Sequence, residues 1–147
     1  MVRKEWGKDM WDYSDVYKKD QFAFSYVTLH EWTYKKLKGK KMKDFLDGYG
    51  YKKVGICGFS SLGNVFFEEA ITEGIDVVYI ADKKNEMLPK KMGDVPVIGL
   101  DGICKYEDVD AIVICHVYYY NEIADELVKM GVRENKILSL NDIVFTL

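Results

Sequence analysis

Apolar residues change their spacing near residue 52. Before it, Phe22, Tyr26, Leu29, Thr33 and Leu37 recur at intervals of three and four, with Val27 and Tyr34 alongside. That is the spacing of one helix face and predicts a helix over 21–38. Gly39 is placed to stop it. A second, short helix is expected over 41–47, ending at Gly48 or Gly50, so that the two form a helical hairpin. Residues 1–20 show no clean period and read as an arm, with Trp6 and Trp11 its candidates for packing onto the body.

From Lys52 onward, short runs of β-branched and apolar residues alternate with amphipathic stretches. Strands are expected at 54–57, 75–81, 95–100, 110–115 and 136–140. Helices are expected at 62–73, closed by Gly74, and at 119–130, closed by Gly131. A polar connection fills 82–94, a short turn or helix 101–106, and Asn141 is placed to cap a last helical turn. Continuous runs such as IDVVYIA suit strands covered on both faces. Such alternation calls for a parallel sheet with right-handed crossovers. The expected fold is therefore α/β: a Rossmann-like doubly wound parallel sheet of five strands in the order 3-2-1-4-5. It would occupy 51–147, with the arm and hairpin of 1–50 packed on it.

Ligands on sheets of this kind bind beyond the carboxyl ends of the strands, where the strand order reverses. Here that point lies between the first and fourth strands. The first strand runs into Gly58-Phe59-Ser60-Ser61-Leu62-Gly63, close to a G-x-G-x-x-G turn but with Ser60 at the middle glycine. Gly58 permits the tight turn and Gly63 lets the helix approach the strand. Ser60 crowds a dinucleotide yet can hydrogen-bond a single phosphate, and the amides opening the next helix favour an anion. Asp82 ends the second strand, where an acid receives ribose hydroxyls in NAD-type sites or simply caps a loop; Lys83 and Lys84 follow it. His116 follows the fourth strand beside the switch point and is a candidate for ligand contact, since histidine titrates near neutral pH. Spacing obliges no Ser, Cys or acid to partner it, so no catalytic residue is assigned. Tyr118, Tyr119 and Tyr120 read as helix packing and a wet rim.

Composition narrows the picture. With 48% hydrophobic and 31% charged residues the chain should be globular. The net charge of −3 is unevenly placed: residues 1–53 carry 13 Lys and Arg against 8 Asp and Glu, and residues 54–147 carry 8 against 16. The acidic α/β part argues against nucleic acid as a partner. The basic run through Lys35, Lys36, Lys38, Lys40, Lys41 and Lys43 reads as a solvated helix end. Cys57, Cys104 and Cys115 have no metal-ligand spacing and read as reduced core or near-core thiols; the acids are dispersed, so no metal site is assigned. No stretch has the length of a membrane span or a signal-peptide core, and the expected location is cytoplasmic.

From Tyr26 to Leu147 the chain resembles small Rossmann-like domains of bacterial polysaccharide and glycan biosynthesis loci, which occur alone or fused to glycosyltransferases. The matching stretches are LHEWTYKKLKGKKMKDFLDGYGYKKVGICG, IADKK, VDAIVICHVYYYNEIADELVKMGV and KILSLNDIV. The resemblance implies a nucleotide- or nucleotide-sugar-binding module in which Gly58, Gly63 and Asp82 take the family's positions, although that family usually has glycine where Ser60 stands.

Three readings follow. The first is a non-catalytic module for a nucleotide such as NAD or for a nucleotide sugar, accessory to glycan biosynthesis and partnered by a glycosyltransferase. The second is a small NAD-dependent sugar-modifying enzyme; against it stand the missing substrate lobe and the absence of a Tyr-x-x-x-Lys arrangement, Tyr120 being followed by Ala124 and Tyr106 by Asp110. The third is a ligand-free interaction or homodimerisation domain built on the aromatic front of the chain.

Overall fold

The computed structural model describes residues 20–147; the expected packing of Trp6 and Trp11 lies outside them. Two helices come first, α1 (Gln21–Leu37) and α2 (Met42–Gly48), and the sheet begins with β1 (Lys53–Cys57). There follow α3 (Ser61–Glu73), β2 (Asp76–Ala81), β3 (Lys91–Met92), β4 (Val95–Ile98), β5 (Ala111–Ile114), α4 (Tyr120–Lys129), β6 (Ile137–Ser139) and α5 (Leu140–Thr146). The result is a mixed α/β fold around a mostly parallel six-stranded sheet ordered β3-β4-β2-β1-β5-β6. Strand count and order thus differ from the five-strand expectation. The added strand is β3, two residues paired antiparallel with β4 through Lys91↔Pro96 and Met92↔Val95. It lies inside the stretch read as a polar connection, and two residues are too short to show a period. The other five strands pair in parallel and keep the expected succession.

Both faces of the sheet are covered. On one, Trp32 of α1, Met42 and Leu46 of α2, Phe66 and Ala70 of α3 and Leu140 of α5 pack with Val54, Ile56 and Val113. On the other, Ile123 and Leu127 of α4 and Ile103 of a 3-10 turn pack with Tyr79, Ile112 and Ile114. Burial on both sides explains why β1 and β5 are continuously apolar.

The main face of α1 that periodicity picks out is its outer one; of the two residues widening it, Val27 is buried and Tyr34 partly so. Phe22 is 81% exposed and Leu37 82%, and Tyr26 and Leu29 also face solvent, whereas Val27, Thr28 and Trp32 are buried. The inward face carries polar groups whose partners are distant in sequence. Asn141 Nδ2 donates to Thr28 Oγ1 at 2.7 Å, and Trp32 Nε1 donates to Glu69 Oε1 at 2.8 Å. Asn141 therefore ties α5 to α1 instead of capping it. The cap is Ser139, whose Oγ accepts from the Asp142 amide.

Part of the basic run is also structural, not merely solvated. Lys35 Nζ donates to the carbonyls of Val144 and Leu147 at the end of α5. Lys36 Nζ bridges Glu69 and Glu73 at 3.0 and 2.7 Å. The same two carboxylates accept from the Met42 and Lys43 amides, so α3 satisfies the open first turn of α2. Burial raises the pKa of both carboxyls. In Glu69 hydrogen bonds from Glu73, Met42, Lys36 and Trp32 outweigh burial and leave it lowered; Glu73, hydrogen-bonded to Glu69, stays raised and keeps its proton longer. Cys104 is exposed, a correction to its near-core reading: it sits on the outer side of the 3-10 turn Leu100–Lys105, while Cys57 and Cys115 are buried.

Asp110 sets the entry of β1 beside β5. Its Oδ2 accepts from the Lys52 and Lys53 amides at 2.8 and 2.9 Å, and these bonds hold its pKa below the ordinary 3.8. A carboxylate with a lowered folded pKa stabilises the fold above its unfolded pKa and loses that contribution as the pH falls through the folded value. Asp110→Asn should therefore narrow the stability difference between pH 7 and pH 3, read from urea denaturation midpoints at the two pH values. An unchanged difference would show that the carboxylate does not hold this strand entry.

Candidate functional site

The cleft forms where the parallel strands end. Each backbone ladder runs one residue past its strand: Gly58 N donates to Ala81 O at 2.8 Å, Asp82 N to Ile98 O at 3.0 Å and Cys115 N to Cys57 O at 2.8 Å. Gly58, Asp82 and His116 are thereby brought side by side from three strands. They line a cavity of about 640 Å³ with Phe59 and Ser60 of the turn, and Tyr119 and Ile123 on the far wall.

Two glycines shape the turn. Gly58 has φ +96°, and a Cβ there would stand 2.4 Å from His116 Cδ2. The histidine ring thus lies flush on the backbone of the turn. Gly63 is helical and buried, and a Cβ there would stand 2.1 Å from the Gly58 carbonyl oxygen. That approach brings α3 directly against the end of β1. Ser60 is the N-cap of α3 and makes no side-chain capping bond, so its hydroxyl is not committed to the first turn of the helix. Phe59 lines the cavity with its ring edge-on to Phe67, centroids 6.1 Å apart, and Ser60 is exposed. Neither side chain fills the cleft. Leu62 is buried in the core, and the expected site residues Ser61, Leu62 and Gly63 do not line the cavity.

Asp82 is the charged centre of the site. It is 9% exposed. Its Oδ2 accepts from the Phe59 amide and its Oδ1 from the Lys84 amide, both at 2.8 Å. The carboxylate therefore holds the glycine turn to the end of β2, and one turn amide is already occupied. His116 Nε2 lies 3.7 Å from Asp82 Oδ2, beyond hydrogen-bond distance. On the rim, Lys83 Nζ pairs with Glu126 Oε1 at 2.6 Å, joining the loop after β2 to α4. Cys57 lines the floor, but burial pushes its pKa up to about 12, so it is present as the thiol and is no nucleophile near neutral pH. The tyrosines divide: Tyr118 packs edge-on against Phe24, Tyr120 is half-buried, and Tyr119 stands on the rim.

The turn residues, Asp82 and His116 were legible in the sequence. Gln21 as a cleft residue was not, because the Tyr119 hydroxyl donating to Gln21 Oε1 at 3.0 Å joins positions 98 apart; Tyr119 itself stands on the rim, as expected of that stretch. No group of three or more His, Cys, Asp or Glu among the described residues is arranged to hold a metal ion. No helix among them is long and apolar enough to cross a membrane.

Fold and cleft together define a mixed α/β protein with an open, largely apolar cavity over the carboxyl ends of its parallel strands. The chain belongs to the C2185-like, N-terminal family, whose model matches residues 50–138. That match covers the sheet from the approach to β1 into β6. No curated protein matches the chain.

Proposed function

We propose that this chain is a non-catalytic, Rossmann-like module that binds a nucleotide or nucleotide sugar, accessory to bacterial glycan biosynthesis. The observation that carries the reading is the open turn. The Gly58-Phe59-Ser60 turn that leads into a 13-residue helix lines one 640 Å³ cavity that no side chain fills. A volume of that size suits a ligand of nucleotide dimensions. Amides at a helix N-terminus suit its phosphates. Lys84 on the rim adds positive charge, Lys83 being paired with Glu126, and the glycan assignment rests on the sequence resemblance alone.

The commitment of both Asp82 oxygens to backbone amides favours a mononucleotide over NAD, whose ribose would compete for the same carboxylate. The Cys57 thiol is held protonated by burial, and His116 is not hydrogen-bonded to Asp82, which favours binding over turnover. A thermal-shift panel of NAD, UDP-sugars, CDP-sugars, CoA and S-adenosylmethionine tests this reading. One class should raise stability by about 2.7 kcal/mol at 100 times its dissociation constant. A second reading, an interaction domain, is favoured by the exposed stripe of Phe22, Tyr26, Leu29 and Leu37 on one face of α1. A panel without effect, together with twice the monomer mass in light scattering, would replace the first reading by the second.

A further inference from the structure

The two ends of the cleft differ in chemistry. On the β4 side of Gly58, Met87, Leu88 and Leu100 present apolar surface; on the β5 side the lining is Tyr119, Glu122 and Gln21. Gln21 does not come from the sheet domain. It is the first residue of α1, outside the residues 50–138 that match the family.

Three contacts hold Gln21 at the rim. Asp20 caps α1 by accepting from the Phe22 and Ala23 amides at 2.8 and 3.1 Å. Phe24, one turn along, meets Tyr118 edge-on at 6.3 Å. The Tyr119 hydroxyl engages Gln21 Oε1. With its oxygen engaged, Gln21 keeps an amide nitrogen with two donors beside the cavity. Glu122, one turn into α4, supplies an acceptor carboxylate on the same side. The Tyr119 ring, 45% exposed, supplies a flat apolar surface to the same cavity. Donor, acceptor and ring together match a saturated ring bearing neighbouring hydroxyls, which offers both donors and acceptors on its edge and C–H groups on its face.

We propose that α1 completes the cleft, and that Gln21 and Glu122 hold the glycosyl hydroxyls of a nucleotide sugar, with Tyr119 positioning Gln21. This rests on the nucleotide reading above and narrows it to sugar-bearing ligands. Loss of one such neutral hydrogen bond removes about tenfold in affinity.

The test titrates wild type, Gln21→Ala and Tyr119→Phe by calorimetry with two matched pairs of probes, UDP-glucose with UDP and ADP-glucose with ADP. Gln21 is exposed, so the variants should melt with the wild type and their affinities are directly comparable. Gln21→Ala should weaken the sugar nucleotide of the bound pair about tenfold and leave its diphosphate within twofold. Tyr119→Phe, which keeps the ring and removes the anchor, should weaken only the sugar nucleotide, by a smaller factor. Equal effects on both members of a pair, or no effect on either, overturn the glycosyl subsite while the nucleotide reading stands. Wild type that binds no member of either pair overturns the glycosyl subsite, and if no nucleotide of the thermal-shift panel stabilises it either, both readings fall.

Discussion

Gly63→Ala is expected to lower stability by about 3 kcal/mol, the upper part of the range for overpacking. For a chain of this length that is a fall of about 10 °C in melting temperature. An added methyl group would lie 2.1 Å from the Gly58 carbonyl oxygen and 3.1 Å from its carbon. Both are backbone atoms, and the Gly58 amide is itself bonded to Ala81. Neither can rotate away as a side-chain tip would. The remaining adjustment is for α3 to shift off the end of β1, which would loosen Phe66 and Ala70, both fully buried beneath it. At an exposed helical position the same exchange would gain up to about 1 kcal/mol, because alanine is the better helix former. Differential scanning calorimetry decides between the two signs. A melting temperature equal to or above wild type would mean that α3 does not depend on this contact.

Asp82→Ala should have the next largest effect, about 3 kcal/mol, because it strips the charged acceptor from two amides at once. The Phe59 amide lies inside the turn, where water does not easily replace the lost carboxylate. Asp82→Asn keeps one acceptor oxygen and should cost about half as much. Urea denaturation of the two variants gives the ordering, and a loss in alanine no greater than in asparagine would refute the double-acceptor role. Binding should move the other way. Asp82→Asn removes a negative charge beside the turn, so a bound nucleoside diphosphate should tighten although the fold weakens. If the carboxylate instead receives ribose hydroxyls, the same variant should bind more weakly, and calorimetric titration separates the two.

Much of this geometry is written locally. Gly58 must adopt a positive φ to leave β1, and Gly63 recurs five residues later where the helix passes the strand end. Such requirements exclude other residues at those positions, so they survive as a visible motif. Asp82 and His116 were legible for a related reason. In a parallel sheet the residue after each strand faces the same end, and strand order alone brings them together.

Other features left no such mark. The α1 face was misjudged because Thr28 and Trp32, once buried, have their polar atoms satisfied by Asn141 and Glu69, partners that spacing within the helix cannot reveal. The Lys36 bridge to Glu69 and Glu73, and Gln21 at the cleft, have the same origin. Gly55 is a further case: the sequence shows a glycine inside a strand, and the fold shows the Tyr79 ring occupying its side-chain space, since a Cβ would lie 2.3 Å from Tyr79 Cζ.

The sequence by itself determined the alternation of strands and helices, the parallel run through the sheet's centre, and the glycine turn at the end of β1. These follow from hydrophobic period and backbone sterics, which act within a few residues. Tertiary structure alone decided which side of α1 faces inward, that Asp82 Oδ2 is spent on the Phe59 amide of the turn, and that the amino-terminal helix lends Gln21 to the cleft. Those outcomes depend on polar groups meeting across tens of residues, and a hydrogen bond leaves no periodic trace in either of the segments it joins.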